Sequence, residues 1–571
     1  MALRRLASYN EAGNSGDYPV VPTRNRKPPN RFGETSTVSS IDKCLMIASN
    51  APPNYKSAME SDDADAWHEA MDSELRSLKE NNVYTPVTLP DGEKAVGSRW
   101  VFSLKENPNG EITHKARFVA KGYSQVAGSD YSDTFSPTAK MTTVRLLMQF
   151  AAEYDMLVHQ LDVKTAYLNA PLDCDVYVIP PQGSTKSNDE VRYVWKLNKS
   201  LYGLKQSGRN WNILLDSFFK EQGFTKSEVD PCLYVKREGG RLFIFIVVWV
   251  DDIVVVANTE EMINRIKEAM KQRFKMKDLN SISWFLGIQF RQTEDGIEMN
   301  QTHYINNILE RFGMSNCKPR STPCEMNLEA YETVDDDDDF VDNIRKYREI
   351  VGCLVYAMTC TRPDLAWAVT KLSQHLSKPT HSDWMMTKHV LRYLKGTSTY
   401  SLVYKKSKNG LKIIGYSDSD WASSTTDRRS TTGYIFRLNE EGAAVSWKSR
   451  KQQTVALSSC EAEYMALTAA TQEAKFLSML VKEFGLIGTE PVELYGDNQG
   501  ALSLIKNPIN HDRSKHIDIK FHFIREHYSS KLIDVTYVKS GDNIADILTK
   551  PATRNKLEEF RRVLFGKQKS N

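Results

Sequence analysis

The chain has 571 residues, too many for one hydrophobic core, so several modules are expected. Hydrophobic residues make up 40%, charged residues 26% and the net charge is only +3, an ordinary globular composition whose bulk charge argues neither for nor against a nucleic-acid partner. The eight cysteines form no CxxC and no zinc-finger spacing, which excludes a Cys/His metal module and reads as reduced cytosolic thiols.

Residues 1 to about 58 are rich in Asn, Ser, Pro and Arg, as in TRNRKPPNRFGETSTVSS, and read as a tail with little structure. WHEAMDSELRSLKENN then brings Trp67, Met71, Leu75 and Leu78 to one face of a helix. Strand-like and turn-like pieces follow to Phe290, then a helical THYINNILERFGM and the acidic run VDDDDDF, which reads as a solvated loop. Helical patterning resumes in GCLVYAMTCTRPDLAWAVTKLSQHL and DWMMTKHVLRYLKG. From Leu411 strands and helices alternate: LKIIGYSD, TTGYIFRL, AAVSWKS, the helix EAEYMALTAATQEAKFLSMLVKEF, VELYGD, helices and LIDVTYV. That alternation marks a separate α/β domain.

The apolar run LFIFIVVWVDDIVVVAN holds two adjacent acids, Asp251 and Asp252, which excludes a membrane span there. Val and Ile in both arms, with Phe243 and Phe245 in the first, make it a hairpin with the two acids in a two-residue turn. A buried unpaired carboxylate is costly, so water, a basic partner or a metal must compensate. VHQLDVKTAYLNAPL places a third acid, Asp162, at the end of another short apolar strand. Acids at neighbouring strand ends, without His or Cys, suit hard oxygen-seeking cations such as Mg²⁺. Two such ions ~3.5–4 Å apart serve in-line displacement at phosphorus. A second set lies in the α/β domain: GYSDSDW, SSCEAEYMAL, ELYGDNQGAL and SGDNIADILTKP place acids at strand ends and helix starts, again the pattern of a Mg²⁺ pair.

Asp162 with Tyr167, SLYGLKQSGRNW, WVDD and FLGI, preceded by WVFSLKENPNGEITHKARFVAKGYSQ, resemble in content and order a copia-type LTR retrotransposon reverse transcriptase with ribonuclease H, over Trp67 to Pro551. The resemblance implies an α/β fold: an α+β right-hand polymerase of fingers, palm and thumb, followed by a ribonuclease H-like α/β domain. The implied layout is a tail over 1–60 resembling the end of an integrase, fingers and palm over 61–300, thumb and connection over 301–405, ribonuclease H over 406–560 and a C-terminal tail over 561–571. It implies Asp162, Asp251 and Asp252 as polymerase metal ligands, and Asp418, Glu463, Asp497 and Asp546 as those of the ribonuclease. Spacing to Tyr416 and Tyr464 favours Asp418 over Asp420 and Glu463 over Glu461. Tyr167 matches the gate that excludes a 2′-OH, Lys115 and Arg117 match triphosphate contacts, and Gly203 with Gln206 lies at the nucleotide. Lys277 is a candidate proton donor to pyrophosphate, and Leu286 and Gly287 match the primer grip.

The implied cofactors are two Mg²⁺ per site, with Mn²⁺ as a substitute. The implied partners are RNA template, DNA or tRNA primer, RNA–DNA hybrid and dNTPs, with the Gag particle and integrase of the same element, and no membrane. The implied place is a cytoplasmic virus-like particle, its products passing to the nucleus. Two departures stand out: Trp249 replaces the usual Tyr before VDD, and TYVKSGDNIAD lacks the His that many ribonucleases H carry before the last Asp. His511, His516, His522 and His527 read as faces of a basic helix near substrate, since His516 and His522 lack Cys or acid partners at ligand spacing, and Lys515, Lys520 and Arg525 beside them read as phosphate contacts. The competing reading is a catalytically inactive or host-recruited remnant that only binds nucleic acid.

Overall fold

The computed structural model describes residues 51–106, 112–184, 193–240, 242–331, 344–424, 426–485, 490–507 and 518–566. Most of the expected tail, the acidic run at 335–339 and His511, Lys515 and His516 lie outside these residues. Among the described residues, no helix is long and apolar enough to cross a membrane.

The segment expected to form the fingers opens with α1 (Tyr55–Met59) and α2 (Ala64–Glu80). α1 lies inside the stretch expected to be tail; Asn54 caps it by accepting from Ser57 N, and Ala58 is buried in the fingers core. Trp67, Met71 and Leu78 are buried, as the helical spacing requires, with Trp67 edge-on to Phe102 at 5.1 Å. Phe102 belongs to a long hairpin, β1 (Ser98–Glu106) and β2 (Ile112–Ala120).

The segment expected to form the palm holds a six-stranded sheet on which α3 (Met141–Glu153) packs. Its strands include β3 (Leu157–Val163), β4 (Leu233–Arg237), β5 (Phe243–Trp249), β6 (Asp252–Ala257) and β7 (Met276–Ser281), in the spatial order β7-β3-β6-β5-β4. Helices α4 (Ser207–Glu221) and α5 (Glu260–Arg273) flank it. β5 and β6 are buried almost throughout, which explains a run of β-branched and aromatic residues without alternation.

A smaller sheet of β8 (Trp284–Phe285), β9 (Ile288–Thr293), β10 (Gly296–Asn300) and β11 (Ser401–Tyr404) carries the next layer. Between β10 and β11 run α6 (Thr302–Arg311), α7 (Ile344–Cys360), α8 (Ala366–Ser373) and α9 (His381–Gly396). The helical pattern that seems continuous through TCTRPDL breaks at Cys360. Pro363 offers no N–H and holds Arg362 out of the helical region, at φ −121°. Arg362 then pairs with Asp364 through two bonds of 2.6 and 2.9 Å, both side chains buried.

The last domain is a five-stranded sheet, order β14-β13-β12-β15-β16: β12 (Ile414–Ser419), β13 (Thr431–Arg437), β14 (Ser446–Lys451), β15 (Val492–Gly496) and β16 (Ile533–Tyr537). The first three pair antiparallel, and β15 runs parallel to β12 and β16. The long α10 (Ser459–Phe484) packs on the sheet, with α11 (Gln499–Lys506) and α12 (Asp518–Ser529). α13 (Arg554–Phe565) closes the domain with Leu564 and Phe565 buried. The expected boundary at residue 560 therefore falls inside a helix, and residues 561–565 are domain rather than tail. One continuous apolar core joins palm, connection and this domain.

Candidate active sites

Antiparallel register assembles the first site. Asp162 on β3 lies directly opposite Asp252 on β6, and Lys277 on β7 lies opposite Asp162 from the other side. Directly paired residues share a face. Lys277, Asp162 and Asp252 therefore form a row across three strands. The hairpin differs from expectation, because Trp249 pairs with Asp252 and the turn residues are Val250 and Asp251. Val250 has a positive φ of 57°, a strained conformation for a β-branched residue. Trp211 Nε1 donates to Val250 O at 2.6 Å and Val163 N to Asp251 O at 2.9 Å, which holds that turn. Gln160 Nε2 donates to Asp252 Oδ1 at 3.1 Å. Trp249 is buried in the core, so its larger ring is absorbed by packing.

Lys115 and Arg117 occupy alternate positions of β2, hence one face. The Arg117 guanidinium lies 5.0 Å over the Tyr202 ring, which stands 4.9 Å from the Tyr167 ring. Burial pushes the Tyr202 hydroxyl well above its usual range; Arg117 opposes that and Asp251 adds to it. Tyr202 thus lies between Arg117, Tyr167 and Asp251. Sequence reading missed it, although it stands beside Gly203 in LYGLKQ. Glu74 accepts from Phe118 N at 3.2 Å; burial raises its pKa against the pull of that N–H and of Arg117 and Lys115.

Gly203 has φ 90°, and its close approach is to protein: a Cβ would stand 2.2 Å from Ala120 O on β2. Gln206 is buried. Its amide donates to Asp130 O at 2.9 Å and accepts from Gln125 Nε2 at 3.1 Å, pinning the loop after β2. Leu286 and Gly287, at φ 52° and 69°, form a two-residue turn between β8 and β9, where Phe285 pairs with Ile288.

The second site is tighter. Among the described residues, only Asp418, Glu463 and Asp497 form a carboxylate group whose ligand atoms lie within 4.8 Å of one another. Asp418 lies on central strand β12, Glu463 on the first turns of α10, and Asp497 just past β15, where Asn498 takes the capping role. Burial first, and then Asp546 and Asp497, push Asp418 up to about 7, while a Thr549 hydroxyl bond holds it down. Burial, Asp418 and Asp497 push Glu463 well above the carboxylate range. Glu463 Oε1 accepts from Ser419 N at 3.0 Å, but Oε2 is buried without a hydrogen-bond partner. A hard cation fits that oxygen and this donor set.

Asp420 and Glu461 stand outside the group: Asp420 accepts from Thr431 N and the Ser423 hydroxyl, Glu461 from Leu457 N. Asp546 lies in a short 3₁₀ turn (Ile544–Leu548), with Oδ1 2.5 Å from Lys550 Nζ and Oδ2 2.7 Å from Lys556 Nζ, and its charge acts on Asp418. Arg525 is also turned inward, donating to Leu504 O and Asn507 O at the end of α11 rather than standing ready for phosphate. His522 is exposed on α12 and His527 is buried there, edge-on to Phe523 at 4.4 Å.

The family described as reverse transcriptase (RNA-dependent DNA polymerase) matches residues 81–326. The Retrovirus-related Pol polyprotein from transposon TNT 1-94 of Nicotiana tabacum is 38% identical over 535 residues, 92% of this chain and 40% of that protein. The corresponding polyprotein from transposon RE2 of Arabidopsis thaliana is 37% identical over 522 residues, 90% of this chain and 35% of that protein. The chain thus spans less than half the length of these relatives. The RNase H1 of the halophilic archaeon Halobacterium salinarum NRC-1 matches with 20% identity and a TM-score of 0.18, covering 26% of this chain and 98% of that one. The chain belongs to the copia-type retrotransposon Pol family and carries its reverse transcriptase domain.

Proposed function

We propose that the chain extends a primer 3′-OH with dNTPs on RNA and then DNA templates, and hydrolyses the RNA strand of the resulting hybrid. The observation that carries this is the pairing of two separate carboxylate sites, the Asp162–Asp252 row beside Asp251 and the Asp418–Glu463–Asp497 group. Mg²⁺ held by these acids would activate the attacking oxygen and stabilise the leaving one. Lys115 and Arg117 neutralise the triphosphate, and the Tyr167 ring, held by Tyr202, lies under the sugar and excludes a 2′-OH. Lys277, in register with Asp162, donates the proton to pyrophosphate. Asp546 completes the ligand set beside Asp418, Glu463 and Asp497, and Lys550, bonded to Asp546, limits the repulsion among these acids. The setting in this reading is a cytoplasmic particle of the same element, with an RNA template and a DNA or tRNA primer.

The test is extension of a DNA primer on an RNA template with dNTPs and Mg²⁺, comparing the intact chain with Asp251→Asn. The intact chain extends, and the variant is slower by about 10³-fold or more. A folded, hybrid-binding chain that does not extend would instead be the nucleic-acid-binding remnant.

A further inference from the structure

Arg145, on palm helix α3, is 3% exposed, and no reaction step described above uses it. Its Nε donates to Val445 O at 2.7 Å, Nη1 to Thr359 O at 2.6 Å and Cys360 O at 3.0 Å, and Nη2 to Thr142 Oγ1 at 3.4 Å. Its guanidinium lies 4.0 Å from the Trp447 ring centroid. Trp447 Nε1 donates in turn to Met358 O at 3.0 Å. Met358, Thr359 and Cys360 are in the last turn of α7, where helix carbonyls lack intrahelical donors and the macrodipole is negative. Val445 and Trp447 lead into and lie on β14 of the ribonuclease H-like domain. One buried cation therefore binds palm, connection and the second domain at a single point.

The same last turns of α7 reach the primer-grip turn, because the Tyr356 hydroxyl donates to Leu286 O. A second seam fixes the far end of α10 to the palm. Arg237 Nη2 donates to Glu483 O at 3.0 Å, Glu228 N donates to Glu483 Oε1 at 3.0 Å, and Phe484 packs 4.8 Å from both Phe150 and Phe245. Two seams on either side of a shared core make the second domain a fixed neighbour of the palm.

We propose that Arg145 is a positioning residue that sets the distance along a bound hybrid between the primer terminus and the point where the RNA is cut. The inference rests on the two activities proposed above. A fixed seam makes that distance a property of the protein; loosening it lets the second domain swing. Phosphates along one strand are spaced by ~3.4 Å, so a small displacement at the seam, levered across the domain, moves the cut by about one nucleotide.

The experiment maps RNA cuts relative to the primer 3′ end on an end-labelled RNA template bearing a DNA primer, with extension stalled by omission of dNTPs. It compares the intact chain with Arg145→Lys, Arg145→Gln and Trp447→Phe. The intact chain gives one narrow cluster of cuts. The variants retain extension and total hydrolysis but spread or shift the cluster by one nucleotide or more. Lys keeps the charge yet cannot reach all the carbonyls, and Trp447→Phe removes the indole N–H bond to Met358 O and part of the ring under the guanidinium while leaving Arg145 in place, so it decides the matter where Arg145 variants fail to fold. Folded variants that keep the intact chain's spacing overturn the inference. An intact chain that neither extends nor cuts refutes the two-activity reading instead.

Discussion

Asp418→Asn is expected to abolish RNA hydrolysis and, in chelator-treated protein at pH 8, to raise the melting temperature. Burial and the neighbouring Asp546 and Asp497 hold the Asp418 carboxyl at about 7, against an ordinary value of 3.8. Its folded pKa is therefore above its unfolded one. The folded state keeps a proton that the unfolded state loses, so stability falls as pH rises from about 4 to about 7 and stays low above that. Asparagine removes the penalty, worth roughly 2–4 kcal/mol at pH 8 and nothing at pH 4. Adding Mg²⁺ should stabilise the native chain more at pH 8 than at pH 6 and should do little for the variant. Calorimetry across that range checks the sign, and a variant less stable than the native chain at pH 8 would contradict it.

Gly203→Ala is expected to damage DNA synthesis severely while sparing RNA hydrolysis. Gly203 has φ 90°, and the added methyl would stand 2.2 Å from Ala120 O and 2.6 Å from Val119 Cγ1. The crowding is mutual, since a Cβ on Gly122 would stand 2.1 Å from Gly203 O. Neither contact can yield easily, because Ala120 N also donates to Tyr202 O at 2.8 Å. Backbone strain and overpacking together cost about 3–5 kcal/mol, concentrated where the fingers hairpin meets the segment before α4. Arg117, Tyr202 and Tyr167 would separate, so the KM for dNTPs should rise steeply in primer extension. Wild-type dNTP dependence in a folded variant would show that this seam does not shape the nucleotide site.

What was legible in sequence is what short-range physics controls. Strand-end acids, the hairpin in LFIFIVVWVDDIVVVAN and the long amphipathic α10 follow from periodicity and flanking residues. Asp418 and Glu463, rather than Asp420 and Glu461, lie in the three-carboxylate group with Asp497. What sequence does not show depends on distant partners. Asp546 reads as one more helix-start acid, yet Lys550 and Lys556 claim both its oxygens. Gln206 sits in a nucleotide-like motif, yet its amide is satisfied by Asp130 O and Gln125, some 80 residues earlier. Asp252 belongs to a strand rather than the turn, because pairing with Asp162 extends β6 by one residue. Arg145 gave no signal at all, since an arginine in MTTVRLLMQF looks like a solvated helix position until Val445 and α7 close over it.

The most direct measurement follows both activities on one substrate, an RNA template labelled at its end and primed with labelled DNA, using the intact chain, Asp162→Asn and Asp418→Asn. Two independent carboxylate sites predict that Asp162→Asn loses extension but still cuts the hybrid, and that Asp418→Asn extends normally but leaves the RNA whole. Loss of both activities from either single substitution in a folded chain, or their absence from the intact chain, would contradict the account.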